Sequence, residues 1–317
     1  MKKVWSVMLI CAGLLLSGCQ KDGQIRINFP TGNAQGSLYS TGAAITRLWS
    51  TEVPRARAAS QASAGGIANL AMVSDGEAQV SVAIASNVWE CREGKGSFAG
   101  YKDEQICVIA GLYMNPNQLV VRKGAGIENL SDARGRRIAV ASAGSSVYDE
   151  CRTHFTQAGL DFPSDLKAEY ISFGDAADLL RSGRIDGAWI MAGVPAAAVT
   201  EAASSGAELL SLSPEFVADM TAAYPWYAAY TIPAGTYPGQ ERAVLTTAVK
   251  MVMFTRRDMD DELVYRLTKT FWEHIQELGE TQKPLRGLLP KDGVTNIAGI
   301  PLHPGAEKYY REIGVLP

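Results

Sequence analysis

Short apolar runs that resemble strands alternate with longer helix-like segments, and this alternation restricts the fold more than any other feature of the sequence. The run Ile25–Phe29 alternates apolar and polar residues, and Ser37–Trp49 follows with apolar residues at helical spacing. Val80–Ile84 and Ile106–Tyr113 are candidates for buried strands, and Asn117–Arg122 for a further one. This succession predicts an α/β fold with mainly parallel sheets.

The length of 317 residues predicts two domains, because single hydrophobic cores stop growing at about 250–300 residues. A glycine-rich turn near Gly124 opens a second strand–helix series, and Trp226–Ile232 has the composition of a strand that crosses back to the first domain. From Gln240 onward, including 241–254, the pattern predicts mostly helix.

We therefore expect two lobes with a cleft between them and a hinge near Gly124 and Ile232. Lobe I would comprise residues 24–124 and 233–317, and lobe II residues 125–232. Ligands of such folds bind at the carboxyl ends of strands, where loops meet helix N-termini.

The N-terminus has the features of an export signal. Lys2 and Lys3 precede the apolar run Val4–Leu16, which is shorter than the roughly 20 residues of a membrane-spanning helix. The run ends in LSGC, which resembles the lipobox of bacterial lipoproteins and implies removal of residues 1–18 and lipidation of Cys19. An ordinary signal peptide with an incidental cysteine is the alternative. In both cases we expect the protein to be exported. If Cys19 is lipidated, we expect the lipid to anchor the protein at a bacterial membrane, where it faces the periplasm or the cell exterior.

The composition argues against nucleic acid, cofactor and metal chemistry. Removal of residues 1–18 takes away two lysines and leaves 28 basic and 33 acidic residues, a net charge of −5, whereas nucleic acid requires clustered cations. The sequence has three histidines and no CxxC motif, so we predict no metal and no cofactor. Cys91 and Cys107 flank a polar stretch and form either a disulfide or two buried free thiols.

Three loops between predicted strands and helices are rich in glycine, serine and alanine: Thr31–Gly36, Gln61–Gly66 and Ser142–Ser146. None of the three contains a charged residue. Free backbone N–H groups at a helix start carry partial positive charge, so such loops can hold a carboxylate without a cationic side chain. Arg55 or Arg57 on the second strand could also reach the cleft, although placement on the surface is the simpler expectation.

Five segments, in this order along the chain, resemble the TAXI family, the solute receptors of one branch of TRAP transporters. They are GSLYSTG (Gly36–Gly42), the loop, helix and strand from Ala62 to Ile84, AVASAGSS (Ala139–Ser146), SGRIDGAWIMAGVP (Ser182–Pro195) and PLHPGAEKYYREIGVL (Pro301–Leu316). The chain departs from the family pattern at Leu38, at Gly65–Gly66 and at Ser146–Val147, all within the expected pocket.

The resemblance implies a type II-like periplasmic-binding fold that captures a small organic anion, such as glutamate or a dicarboxylate, and delivers it to a membrane permease. The ligand-binding residues expected on this basis lie in the three loops and in one later segment. They are Gly36, Ser37, Tyr39, Ser63, Gly65, Asn69, Ser142, Gly144, Ser145, Ser146 and Gly193.

Four of these residues have a simpler alternative role. Ser145 could be a helix N-cap, Tyr39 could belong to the core, and Asn69 could bridge loops. Gly193 would allow close approach of the ligand, or would only precede a helix that starts near Pro195.

The sequence argues against an enzyme. A serine hydrolase needs a base beside its nucleophile, and the chain has no G-x-S-x-G elbow and no phosphate-binding G-x-x-x-x-G-K-[ST] motif. The alternative that stays within binding proteins is a substrate-binding lipoprotein of an ABC importer or a ligand sensor, because a fold alone does not determine a function.

Overall fold

The computed structural model describes residues 23–32 and 37–317. The predicted signal peptide, Cys19 and Gly36 lie outside the described residues, as does the side chain of Ser37. The strands are β1 (Ile25–Pro30), β2 (Ala56–Gln61), β3 (Val80–Ile84), β4 (Ile106–Val121), β5 (Arg137–Ala139), β6 (Lys167–Glu169), β7 (Gly187–Met191), β8 (Glu208–Leu209), β9 (Tyr227–Ile232) and β10 (Val244–Arg256).

The helices were mostly expected from the sequence pattern. They are α1 (Ser37–Glu52), α2 (Gly66–Ser74), α3 (Ala85–Glu93), α4 (Ser146–Gln157), α5 (Phe173–Arg181), α6 (Ala197–Ser204), α7 (Pro214–Ala223), α8 (Asp261–Glu273), α9 (Ile275–Thr281) and α10 (Pro304–Glu312). None of these described helices combines the length and the apolar character that crossing a membrane requires.

Two long antiparallel strands, β4 and β10, run through the whole molecule and connect its parts. The main sheet has the order β3-β10-β4-β7-β5-β6, with β8 paired to β4 and β9 paired to β10, while β1 and β2 form a separate parallel pair. The second half of β10 pairs with β3, and its first half pairs with β9. The second half of β4 pairs with β7.

The expectation of mainly parallel sheets is wrong, because most of the described strand pairs are antiparallel. The structure also corrects two of the predicted segments. Ile106–Tyr113 and Asn117–Arg122 form one strand, β4, and the segment predicted as a helix from Glu241 is the strand β10. Nearly every residue of β10 is buried on both faces of the strand, so its sequence lacks the apolar–polar alternation of a half-exposed strand. A continuous apolar run of this kind cannot be distinguished from a buried helix by periodicity.

Apolar packing divides the chain inside β4 and β10. The first core includes Leu112 and Val249 and extends over β1–β3, α1–α3 and α8–α10. Two further cores cover the two faces of the other half of the sheet, one including Leu119 and the other Val244. We call these two parts lobe I and lobe II. The predicted domain limits at 124/125 and 232/233 stay a prediction. The change from one apolar core to the other lies before the first limit, within β4, and after the second limit, within β10.

Cys91 and Cys107 are both free and buried, on α3 and β4 respectively. Of the two alternatives that the sequence left open, the structure has the free thiols and no disulfide between them. Burial raises the pKa of Cys91 to about 11 and also raises that of Cys107, so neither thiol is ionised at neutral pH.

Candidate ligand-binding site

The first two predicted loops are joined at the carboxyl ends of β1 and β2. The backbone N–H of Thr31 donates to Gln61 O at 3.0 Å, and that of Ser63 donates to Gly32 O at 3.0 Å. These bonds continue the parallel register that pairs Pro30 with Gln61. The two loops therefore form one edge of lobe I, as loops at the same end of a parallel pair must.

Asn69 holds this edge together from inside the protein. Its side chain is fully buried, and Nδ2 donates to Thr31 O at 2.8 Å and to Val82 O at 2.9 Å. Its Oδ1 accepts from Ser63 Oγ at 2.6 Å. Both amide hydrogens are thus used within the fold, so Asn69 positions the loops. This is the bridging role that the sequence offered as the alternative, and a contact of Asn69 with the ligand stays a prediction.

The start of α2 brings the second loop against lobe II. Gly65 is its N-cap residue with φ of +105°, a conformation that favours glycine, and no side chain caps the helix. At Gly66 an added Cβ would lie 3.2 Å from the Cβ of Ala83 and 3.4 Å from Ser146 Oγ. The second and third loops therefore approach each other across the boundary between the lobes.

The third loop combines a helix cap with a contact to lobe I. Ser145 is the N-cap of α4, and its Oγ accepts from the N–H of Tyr148 at 3.2 Å. The hydroxyl of Ser146 donates to Oδ1 of Asn87 on α3. Ser142 and Gly144 are exposed, and Gly144 has φ of +76°. The loop thus presents small residues and a capped helix start at the lobe boundary.

Three hydrogen bonds connect lobe I to α4, and we refer to them as the interlobe contact. Besides the Ser146–Asn87 bond, Ser86 Oγ donates to Glu150 Oε1 at 2.9 Å and Ser97 Oγ donates to Asp149 Oδ2 at 2.6 Å. The sequence-based prediction missed Ser86, Asn87, Ser97, Asp149 and Glu150. The sequence signal for Ser86 and Asn87 was a polar pair one position after the buried strand β3, and the other three residues had none.

Glu150 and His154 lie behind this contact and are fully enclosed. Nδ2 of Asn117 on β4 donates to Glu150 Oε2 at 3.2 Å, and Nε2 of His154 lies 2.6 Å from Oγ1 of Thr247 on β10. Burial raises the pKa of Glu150 to about 7 and lowers the pKa of His154 to about 4. Both groups are therefore held near the long strands that connect the lobes, with the histidine uncharged at neutral pH.

The structure brings the remaining predicted residues together only in part. Tyr39 is half-buried on α1. A Cβ at Gly193 would meet no described atom within 4 Å, so the described residues give no packing reason for glycine there. Arg55 Nε donates to Gly23 O and an Nη of Arg57 donates to Ala56 O, so both guanidinium groups bond backbone oxygens of lobe I. Among the described residues, no group of three or more His, Cys, Asp or Glu side chains could hold a metal ion.

A family model described as the NMT1-like family matches residues 29–314. The chain belongs to the NMT1-like family. The three solved structures compared below are each under 25% identical to this NMT1-like chain, so they show its fold alone. The periplasmic aliphatic sulphonate binding protein SsuA from Escherichia coli is 16% identical, with 93% of this chain and 84% of that chain covered and a TM-score of 0.51.

Two further structures agree on the fold of this NMT1-like chain. A TctC solute binding protein from Polaromonas is 16% identical, with 92% of this chain and 98% of that chain covered and a TM-score of 0.52. A histidine kinase sensor domain with similarity to periplasmic binding proteins is 14% identical, with 85% and 100% covered and a TM-score of 0.50. The predicted two-domain periplasmic-binding fold is confirmed.

Proposed function

We propose that this chain is the extracytoplasmic receptor of a solute importer and that it binds a small organic anion between its two lobes. The observation that carries the proposal is the meeting of uncharged, glycine- and serine-rich loops from both lobes at Gly66 and Ser146. Loops from one lobe alone would make a surface site, whereas loops from both make a site that changes when the lobes move.

The donors at this boundary favour an anion. The half-buried start of α2 has no side-chain cap, so its first backbone N–H groups are available to a ligand. The Ser145 oxygen accepts from Tyr148, which leaves its hydroxyl hydrogen free to donate. A carboxylate or sulphonate placed here would accept from several donors without needing a cationic side chain.

For the transporter class, we propose the receptor of a TRAP-type permease. This rests on the five TAXI-like segments, including the C-terminal stretch Pro301–Leu316. An ABC importer lipoprotein or a ligand sensor is the second candidate, and it is favoured by the likeness to a sulphonate-binding protein and to a kinase sensor domain. Crosslinking the receptor in native membranes and identifying the attached membrane subunit would decide between the candidates.

We also propose that Cys19 carries the lipid anchor and that residues 1–18 are removed. Cys19→Ser should release the protein from the membrane fraction and abolish incorporation of labelled fatty acid. If Cys19→Ser left the protein in the membrane fraction, the anchor would have to lie elsewhere.

The binding proposal is tested by thermal-shift screening of residues 20–317 against dicarboxylates, amino acids and sulphonates, followed by calorimetry on the solutes that raise the melting temperature. Ser145→Ala removes one donor to the anion, and hydrogen bonds to charged groups contribute about 1.5–3 kcal/mol, so we expect roughly 10- to 100-fold weaker binding.

Ser213→Ala is the matched control. Ser213 is the N-cap of α7 and accepts from Phe216 N at 3.1 Å, as Ser145 does from Tyr148 on α4. Both variants should lose about 1 kcal/mol of stability from the lost cap. Only Ser145→Ala should lose affinity, and equal affinity in both variants would reject this loop as part of the site.

A further inference from the structure

A cavity lies between the lobes, away from the three loops. It has a volume of about 480 Å³, within the usual range of roughly 300–1,000 Å³ for sites that bind small molecules. The end of α3 and the connection between α7 and β9 contribute one wall, which packs with the core of lobe I, and the middle of α4 contributes the opposite wall in lobe II. None of its lining residues belongs to the predicted anion site.

One wall of this cavity is aromatic. The rings of Trp89 and Trp226 have their centroids 5.0 Å apart, and those of Tyr224 and Trp226 are 5.2 Å apart. Trp226 is buried, whereas Trp89 and Tyr224 are half-buried and contribute to the open side of the cavity. Such a wall can stack against a flat aromatic ring, whereas a small polar solute would find few hydrogen-bond partners on it.

The charges at the cavity are unevenly matched. Lys95 Nζ lies 4.8 Å from the centroid of the Trp89 ring, and among the residues that the structure describes no carboxylate lies within ion-pair distance of it. Arg152 is paired with Asp149 at 3.0 Å. Burial, and then the charge of Asp149, raise the pKa of Glu90 to about 7, so its carboxyl carries only part of a negative charge at neutral pH. The full positive charge that has no ion-pair partner at the cavity is the ammonium of Lys95, and Glu90 adds a partial negative charge.

We propose that this cavity is a second binding site, which takes an aromatic carboxylate with its ring on the Trp89–Tyr224–Trp226 wall and its carboxylate on Lys95. The ring and the anion must be in one molecule, because the ammonium lies over Trp89, one of the rings of the wall. The aromatic wall packs with the core of lobe I, and Arg152, Thr153 and Thr156 on α4 face it from lobe II, so a bound molecule touches both lobes at a place that the anion site does not use.

The test is calorimetry of residues 20–317 with phenylacetate, with cyclohexylacetate, which keeps the charge, and with phenylacetamide, which keeps the ring. We expect phenylacetate to bind, and each of the other two to bind at least fivefold more weakly. Lys95→Gln removes the exposed ammonium and should weaken phenylacetate at least tenfold. Lys308→Gln is the matched control, because Lys308 Nζ lies 4.3 Å from the Tyr265 ring on another surface; it should leave binding unchanged.

Three results would overturn the proposal: no binding of phenylacetate, equal binding to wild type and Lys95→Gln, or a loss of binding in Lys308→Gln as large as in Lys95→Gln. Ser145→Ala separates this site from the anion site between the loops. If Ser145→Ala weakened phenylacetate and Lys95→Gln did not, the compound would be a ligand of the loops, and only the second site would be rejected. If the solute screen found no ligand, the proposed anion site would be rejected, and the comparison of wild type with Lys95→Gln would still test the second site.

Discussion

Glu150 gives the sharpest prediction about the interlobe contact. Its carboxyl is buried against Ser86 of lobe I and Asn117 of β4, and burial raises its pKa from 4.5 to about 7. Between these two pH values the folded protein holds a proton that the unfolded chain has lost. The free energy of unfolding therefore falls as the pH rises through this interval, by about 1.4 kcal/mol per pH unit and about 3 kcal/mol in all.

His154 hides this trend in the wild-type protein. Burial lowers its pKa from 6.5 to about 4, so between these values the unfolded chain holds the extra proton and stability rises with pH. The two slopes have opposite signs from about pH 4.5 to 6.5 and largely cancel. A comparison with Glu150→Gln is therefore needed, because the amide removes the titration of Glu150 and leaves His154 in place.

The assay is urea unfolding of wild type and Glu150→Gln at pH 5, 6, 7 and 8, with the exposed Glu201→Gln on α6 as the control for an acid-to-amide change. We expect the stability of Glu150→Gln relative to wild type to rise by about 2.5 kcal/mol from pH 5 to 8, whatever its offset at pH 5. A difference that stays constant over this range would refute the reasoning, because Glu150 would then not be a buried carboxyl with a raised pKa.

Two further variants test the loops. Gly66→Ala should weaken solute binding by about tenfold or more, because the new methyl group would lie 3.4 Å from Ser146 Oγ across the lobe boundary. It should also lower stability in urea unfolding, because the methyl group would lie 3.2 Å from the Cβ of Ala83 within lobe I. Unchanged affinity in calorimetry would contradict the close approach of the lobes. Asn69→Ala should lower the free energy of unfolding by about 2–5 kcal/mol, because it leaves Thr31 O and Val82 O buried without their donor. If urea unfolding showed a loss smaller than about 1 kcal/mol, Asn69 would not hold the loops together.

Much of the fold could be predicted from the sequence because its signals are local. β1, α1 and α2 follow from short-range periodicity, and β3 coincides with its predicted bounds, Val80–Ile84. The strand β10 could not be predicted in this way, because tertiary packing buries both of its faces and removes the alternation that identifies a strand.

In the candidate site, too, the features with local signals could be predicted and those that depend on tertiary packing could not. That the first and second loops lie together follows from parallel strands ending at one edge of a sheet, and their small uncharged residues indicate an anion site. The interlobe contact joins Asn87 to Ser146, 59 positions apart, and Ser86 to Glu150, 64 positions apart. Such pairings depend on how the lobes face each other, and no residue pattern of either segment encodes that.

The central claim is that a small organic anion closes the two lobes on each other. Small-angle X-ray scattering of residues 20–317 tests it directly, with and without a saturating amount of the solute that gives the largest thermal shift. A ligand shifts such an equilibrium only through its better contacts with the closed state, so the account predicts a smaller radius of gyration with the solute and no decrease in the Gly66→Ala variant. Equal radii in wild type with and without the solute would contradict it.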